Sequence, residues 1–186
     1  MTTEKFKMTV HEKEISIRYC VLAFIFWVMT LSWIVTIYYM SAQTGAQSSQ
    51  MSRGFVSALN EIFGLNIQDD SVVRMAAHSA EFALLTFLSY MALSSTNKIS
   101  NKTSYAESPV KLMRSDNEMN IIFTLWFTIL NAIFDEYHQL FVSGRAGTIF
   151  NVLIDLIGIV IVLIIISKII QQYIFEFGIV KMNAHS

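Results

Sequence analysis

The sequence predicts an all-α protein: a four-helix integral membrane bundle with a short interfacial helix between spans one and two. Three observations predict it. The 186 residues are 54% hydrophobic and 15% charged, with a mean hydropathy of +0.50 and 1 proline, which lies outside the usual soluble range. Uncharged or nearly uncharged runs recur along the chain at lengths close to the about 20 residues that carry a helix across a ~30 Å hydrocarbon core. Lysine and arginine, finally, gather in alternate connections between those runs.

Residues 1–18 form a cytoplasmic N-terminal segment bearing Lys5, Lys7, Lys13 and Arg18. Span one, residues 19–40, reads "YCVLAFIFWVMTLSWIVTIYYM" and carries no charge. A cleaved signal peptide competes with this reading. The run, however, exceeds the ~7–15 residue apolar core of such segments, and Met40 stands where a small residue is preferred, so a retained anchor is expected.

In the following connection, "SSQMSRGFVSALNEIFG" repeats Met51, Phe55, Leu59 and Ile62 at helical spacing opposite Ser52, Ser57 and Asn60, with Gly64 as a stop. Two arrangements give that same stripe, a helix lying on the outer membrane face and a helix capping the bundle. Span two, residues 72–93, follows "DDS" as capping material and is apolar apart from Arg74, His78, Glu81 and small hydroxyl residues.

The loop 94–119 carries Lys98, Lys102, Lys111 and Arg114 and is expected in the cytoplasm, where its sequon at Asn101 would be a chance match. The third run is uncharged only over residues 121–134, too short to span. Extension backward would immerse "RSDNE", so span three is expected to run forward through "DEYHQLFV", over residues 120–142. A short soluble-type helix is the alternative. Span four, residues 148–170, is an Ile/Leu/Val run interrupted by Asn151 and Asp155, and 171–186 form a cytoplasmic tail.

The membrane domain is therefore residues 19–170. Connections 41–71 and 143–147 hold only Arg53 and Arg145 among their basic residues, which places both termini inside a multi-pass plasma-membrane protein. A formal net charge of -1 without a basic stripe excludes a nucleic-acid footprint. The lone cysteine, Cys20, excludes an internal disulfide and a multi-cysteine zinc site.

Three polar stripes then demand explanation. Arg74, His78 and Glu81 share one helix face on span two; Asp135, His138 and Gln139 share one on span three, with Glu136 about a quarter-turn away; Asn151, Asp155 and Gly158 form a third on span four. In this topology all three lie at similar depth near the outer surface. Ionisable groups at membrane depth cost at least ~2.5–3.5 kcal/mol each, so they face inward, pair, and mark function. Mutual neutralisation and hydrogen-bonded glue between helices are the plain alternatives.

A zinc or manganese site could draw on His78, Glu81, Asp135 and His138, but no HExxH-type signature occurs and two arginines lie nearby. Neither metal nor any other cofactor is therefore expected. An anion suits Arg74 and Arg145 better, because guanidinium binds phosphate with paired hydrogen bonds. Arg145 sits in "SGRAGT", before a helix N-terminus, and is expected either to anchor an anion or to pair with Asp135 or Glu136. Ser79 and Ser143 lack any supporting nucleophile motif.

With these residues in view, the chain resembles the VanZ-like family of small membrane proteins. The resemblance runs through "MSAQTGAQSS", "RMAAHSAEFALL" and "DEYHQLFVSGRAGTIFNVLIDLIG", from about Met40 to Gly158. It implies a four-helix membrane protein in a family whose founding member is linked to resistance to the glycopeptide teicoplanin. The family's recurring polar positions correspond here to Ser41, Ser48, Arg74, His78, Glu81, Asp135, Glu136, Gln139, Arg145 and Asp155. Met75, Ser143 and Asn151 depart from it, standing where lysine, proline and aspartate are common.

Two functions of different class follow. The first is a non-enzymatic envelope protein that binds membrane lipids through an anionic head group, or a lipid-linked cell-wall precursor, at the outer polar cluster. The second is an intramembrane hydrolase or transferase using His78, Glu81, Asp135 and His138. Transport is a weaker third, since four helices leave little room for a pathway unless subunits associate into an oligomer.

Overall fold

The computed structural model describes residues 15–64, 66–100 and 108–183, with side chains through residue 180. Five helices account for nearly all of them: α1 (Ile17–Ser41), α2 (Gly45–Phe63), α3 (Asp70–Asn97), α4 (Pro109–Gln139) and α5 (Ile149–Asn183). Among the described residues there is no strand, only an isolated antiparallel bridge between Ile15 and Ser100. Two helices are long and apolar enough to cross a membrane, α1 and the Ile149–Val180 part of α5.

Local chemistry sets the helix ends. Thr44 and Gln47 form a reciprocal capping box at the start of α2, and Gly64 ends that helix in the left-handed conformation at φ 64°. Asp69 caps α3 by accepting the Ser71 N–H at 2.9 Å, a bond that holds its carboxyl below the usual carboxylate range. Asn60 closes the α2–α3 connection, donating to the Ile67 carbonyl and accepting its N–H, both at 3.0 Å.

Helix α4 extends beyond the third apolar run on its N-terminal side. It begins at Pro109 rather than near residue 120, because proline at the first helical position gives up no hydrogen bond. The charged residues Lys111, Arg114 and Glu118 are exposed, while Asn117 and Asn120 turn inward and bond Tyr90 (2.5 Å) and Asn97 (2.7 Å) on α3. "RSDNE" is thus carried on an amphipathic first stretch and not forced into an apolar layer. At the other end α4 stops at Gln139, and Leu140 to Val142 continue as tight turns. Helix α5 likewise runs on to Asn183, through residues expected as a tail.

Helix α3 is central, packing against α1, α4, α5 and α2. Ile37, Phe82, Leu85, Ala132, Ile159 and Leu163 bring α1, α3, α4 and α5 into one apolar core. At Gly158 the α5 backbone comes so close to α3 that a Cβ would lie 2.1 Å from the Ser79 carbonyl oxygen. Buried Thr30, Thr86 and Thr128 satisfy their hydroxyls on the carbonyls of Phe26, Phe82 and Thr124, one turn back. Outward, by contrast, the surface is apolar, with Phe24, Val35, Phe141 and Ile149 all exposed.

Candidate functional site

The polar residues meet where α1 and α4 end and α2, α3 and α5 begin. Two connections are clamped together there. The Gly45 N–H donates to the Ser143 carbonyl at 3.0 Å, and a Cβ on Gly45 would lie 2.0 Å from the Gly144 oxygen. Gly144 itself takes φ 73°, a conformation that favours glycine. This clamp places Arg145 against the end of α1.

Arg145 does not make the expected ion pair with Asp135 or Glu136. Its Nε donates to the Gln43 carbonyl and its Nη2 to the Met40 carbonyl, each at 3.1 Å, so the guanidinium sits over the C-terminal end of α1, where the Met40 carbonyl also accepts the Gln43 N–H at 3.3 Å. No carboxylate pairs with it at contact distance among the described residues. Burial pulls its pKa below the ordinary value, Asp135 opposing that fall and Arg74 adding to it. The Nη1 group stays without a hydrogen bond among the described residues, and the side chain lines two cavities.

The larger cavity, about 730 Å3, is walled by Arg53, Arg74, Arg145 and His78, with Ser49, Gln139, Thr148 and Asn151 supplying neutral polar groups. Arg74 Nη1 donates to Ser49 Oγ at 3.3 Å. No carboxylate lines this cavity among the described residues. The smaller, about 290 Å3, shares Arg74, His78 and Arg145 and adds Glu81, Ser48 and mainly apolar walls.

The carboxylates lie behind the cavities. Asp135 and Asp155 are fully buried and Glu136 nearly so. Asp135 Oδ2 accepts from Gln139 Nε2 at 2.8 Å. Glu136 points to the start of α5 and caps it: its Oε2 accepts the Thr148 N–H at 2.8 Å and Asn151 Nδ2–H at 3.2 Å. The neighbouring backbone is tight, since a Cβ on Gly147 would lie 2.1 Å from the Glu136 carbonyl oxygen.

One oxygen of Asp135, one of Glu136, both of Asp155, the Ser41 hydroxyl and Nδ1 of His78 and His138 are buried without a partner. Such groups are costly when left unpaired, so their concentration at one end of the molecule calls for a reason. His78 Nδ1 lies 3.6 Å from Glu81 Oε2, beyond a good hydrogen bond. No three His, Cys, Asp or Glu side chains are disposed to hold a metal ion among the described residues.

Not every sequence-predicted residue joins the cavities. His138 stands edge-on to Tyr38, with ring centroids 6.2 Å apart, and lines neither. Ser41 is buried beneath them, and Ser48 reaches only the smaller. Sequence reasoning missed Arg53 and Ser49, although the two sit one turn apart on α2 and the T-x-x-Q capping pattern announces that helix.

A sequence model of the VanZ/LLP1 family matches residues 26–171. No curated protein and no solved structure matches the chain.

Proposed function

The chain belongs to the VanZ/LLP1 family, and from that premise we propose that it is a multi-pass plasma-membrane protein of the cell envelope. It holds an anionic lipid head group, or the phosphate of a lipid-linked cell-wall intermediate, at the outer end of its helices. One observation carries the reading: a cavity of about 730 Å3 walled by three arginines and, among the described residues, by no carboxylate. Guanidinium groups that converge without a counter-ion in the cavity suit a phosphate, whose oxygens accept several hydrogen bonds at once.

In this reading α1, α3, α4 and α5 span the membrane, both termini are cytoplasmic, and α2 lies in the outer interface. The apolar exterior supports spanning, because exposed Phe, Ile and Val over whole helices need an apolar medium. The interfacial place of α2 is supported by its exposed Ile62 and Phe63, while Met51 and Phe55, also exposed, stand at the open side of the smaller cavity. Sequestering a lipid-linked precursor would limit a glycopeptide's access to it, which is how the protein would contribute to teicoplanin resistance.

Binding of phosphatidylglycerol against phosphatidylcholine, read by native mass spectrometry of the purified full chain, tests the proposal. Arg53→Gln and Arg74→Gln should each weaken the anionic lipid about tenfold or more, one charge-assisted bond being worth ~1.5–3 kcal/mol. Unchanged preference in both variants would overturn it.

A hydrolase or transferase is favoured by one observation, that His78 lines both cavities with Glu81 beside it. Lipid turnover lost in His78→Gln with head-group binding retained would support that second reading.

A further inference from the structure

The two cavities share Arg74, His78 and Arg145 as lining residues, and their walls differ in kind. Beyond those residues the smaller one runs between the end of α1, the first half of α2 and the start of α3. Its apolar walls are Met40, Met51, Phe55, Val73 and Ala77, with Gln43, Ser48, Ser52 and Glu81 also lining it. We infer that the ligand is an amphiphile carrying a phosphate ester, its phosphate in the arginine-walled cavity and the first methylenes of its alkyl chain in the apolar cleft. This rests on the anionic head-group reading and adds the chain to it.

Charge favours one orientation. The larger cavity adds Arg53 to the shared Arg74 and Arg145 and has no carboxylate among the described residues, whereas the smaller sets Glu81 beside them. A wholly hydrophilic anion would leave the apolar walls unused. The walls also suit a chain of variable shape, since methionine is flexible and fills irregular gaps. Met51, Phe55 and Ala77 remain exposed, so the cleft is open at its side and a longer chain can leave it laterally.

The juxtaposition matches the general form of a small-molecule site, mainly apolar with few convergent polar groups. Here those two properties are divided between neighbouring cavities. A single chain of atoms passing Arg74 and Arg145 would touch both.

The test uses the full chain in phosphatidylcholine nanodiscs, titrated with inorganic phosphate and with methyl, butyl and hexyl phosphate, empty nanodiscs being subtracted. Affinity should rise about two- to fourfold per added methylene, fourfold corresponding to complete burial. Ala77→Trp, which fills the cleft, should bring hexyl phosphate down to the affinity of methyl phosphate. Equal affinities for all the phosphates in the wild-type chain would overturn the amphiphile while leaving the head-group reading intact. No phosphate binding, or binding insensitive to Arg74→Gln, would instead remove the head-group reading itself.

Discussion

Replacing Arg145 by lysine separates a structural guanidinium from a ligand-binding one. The side chain makes two bonds to backbone carbonyls, from Nε to Gln43 and from Nη2 to Met40. An ammonium at that position has three donors but lacks the planar fork, so it is not pre-set to meet both acceptors at once. A hydrogen bond to a charged group is worth ~1.5–3 kcal/mol, and partial exposure of Arg145 lowers the expected loss to about 1–2 kcal/mol. The same change at Arg53, which makes no hydrogen bond among the described residues, should cost within ~0.5 kcal/mol. Chemical unfolding in detergent, followed by tryptophan fluorescence, measures both. If Arg145→Lys is as stable as the wild type, the guanidinium does not hold the end of α1, and its contribution belongs wholly to a ligand.

Three further outcomes are expected. Gly158→Val should lower folded yield and stability by about 1–3 kcal/mol, measured by the same unfolding assay, because its side chain would strike the Ser79 carbonyl. Asn151→Asp should weaken phosphate binding in the nanodisc titration and loosen the start of α5, since it sets a second carboxylate against Glu136 in place of a donor; adding Met75→Lys should restore part of the binding. In a Cys20→Ala background, a cysteine at Ser57 should react with an impermeant maleimide on intact cells and one at Ser115 should not, and the reverse pattern would invert the topology.

How much of this was legible in the sequence depends on what each feature requires. The stripes Arg74–His78–Glu81 and Asn151–Asp155–Gly158 follow from helical spacing alone, so their convergence needs only the helices and an apolar exterior. The partners of Glu136 do not follow from spacing. Spacing gives the direction in which a side chain leaves its own helix, but not that the next helix begins beside it with a free N–H at Thr148. The acceptors of Arg145 are backbone carbonyls a hundred positions away, and no side-chain pattern encodes them. The helix carrying the third apolar run begins earlier than that run, at Pro109, because a helix continues through a charged stretch when its polar face finds partners, as Asn117 and Asn120 do.

The layering of charge also bears on which chemistry the site supports. Arginines form the wall of the larger cavity, while Asp135, Glu136 and Asp155 lie behind it, held by Gln139, Thr148 and Asn151 or unpartnered. Attraction between the layers draws the guanidinium groups toward the protein without filling the space in front of them. A bound phosphate would meet the arginines at contact distance and the carboxylates only at longer range, where their repulsion is weaker. Acid–base chemistry needs more, because the group that moves the proton must touch the ligand. Of the histidines and carboxylates named above, only His78 lines the larger cavity, and Glu81 joins it only in lining the smaller cleft. Their 3.6 Å separation would have to shorten by about half an ångström for a hydrogen bond to orient the ring. His78 and Glu81 are therefore the acid–base groups within reach of a ligand in the two cavities, while Asp135, Glu136 and Asp155 line neither.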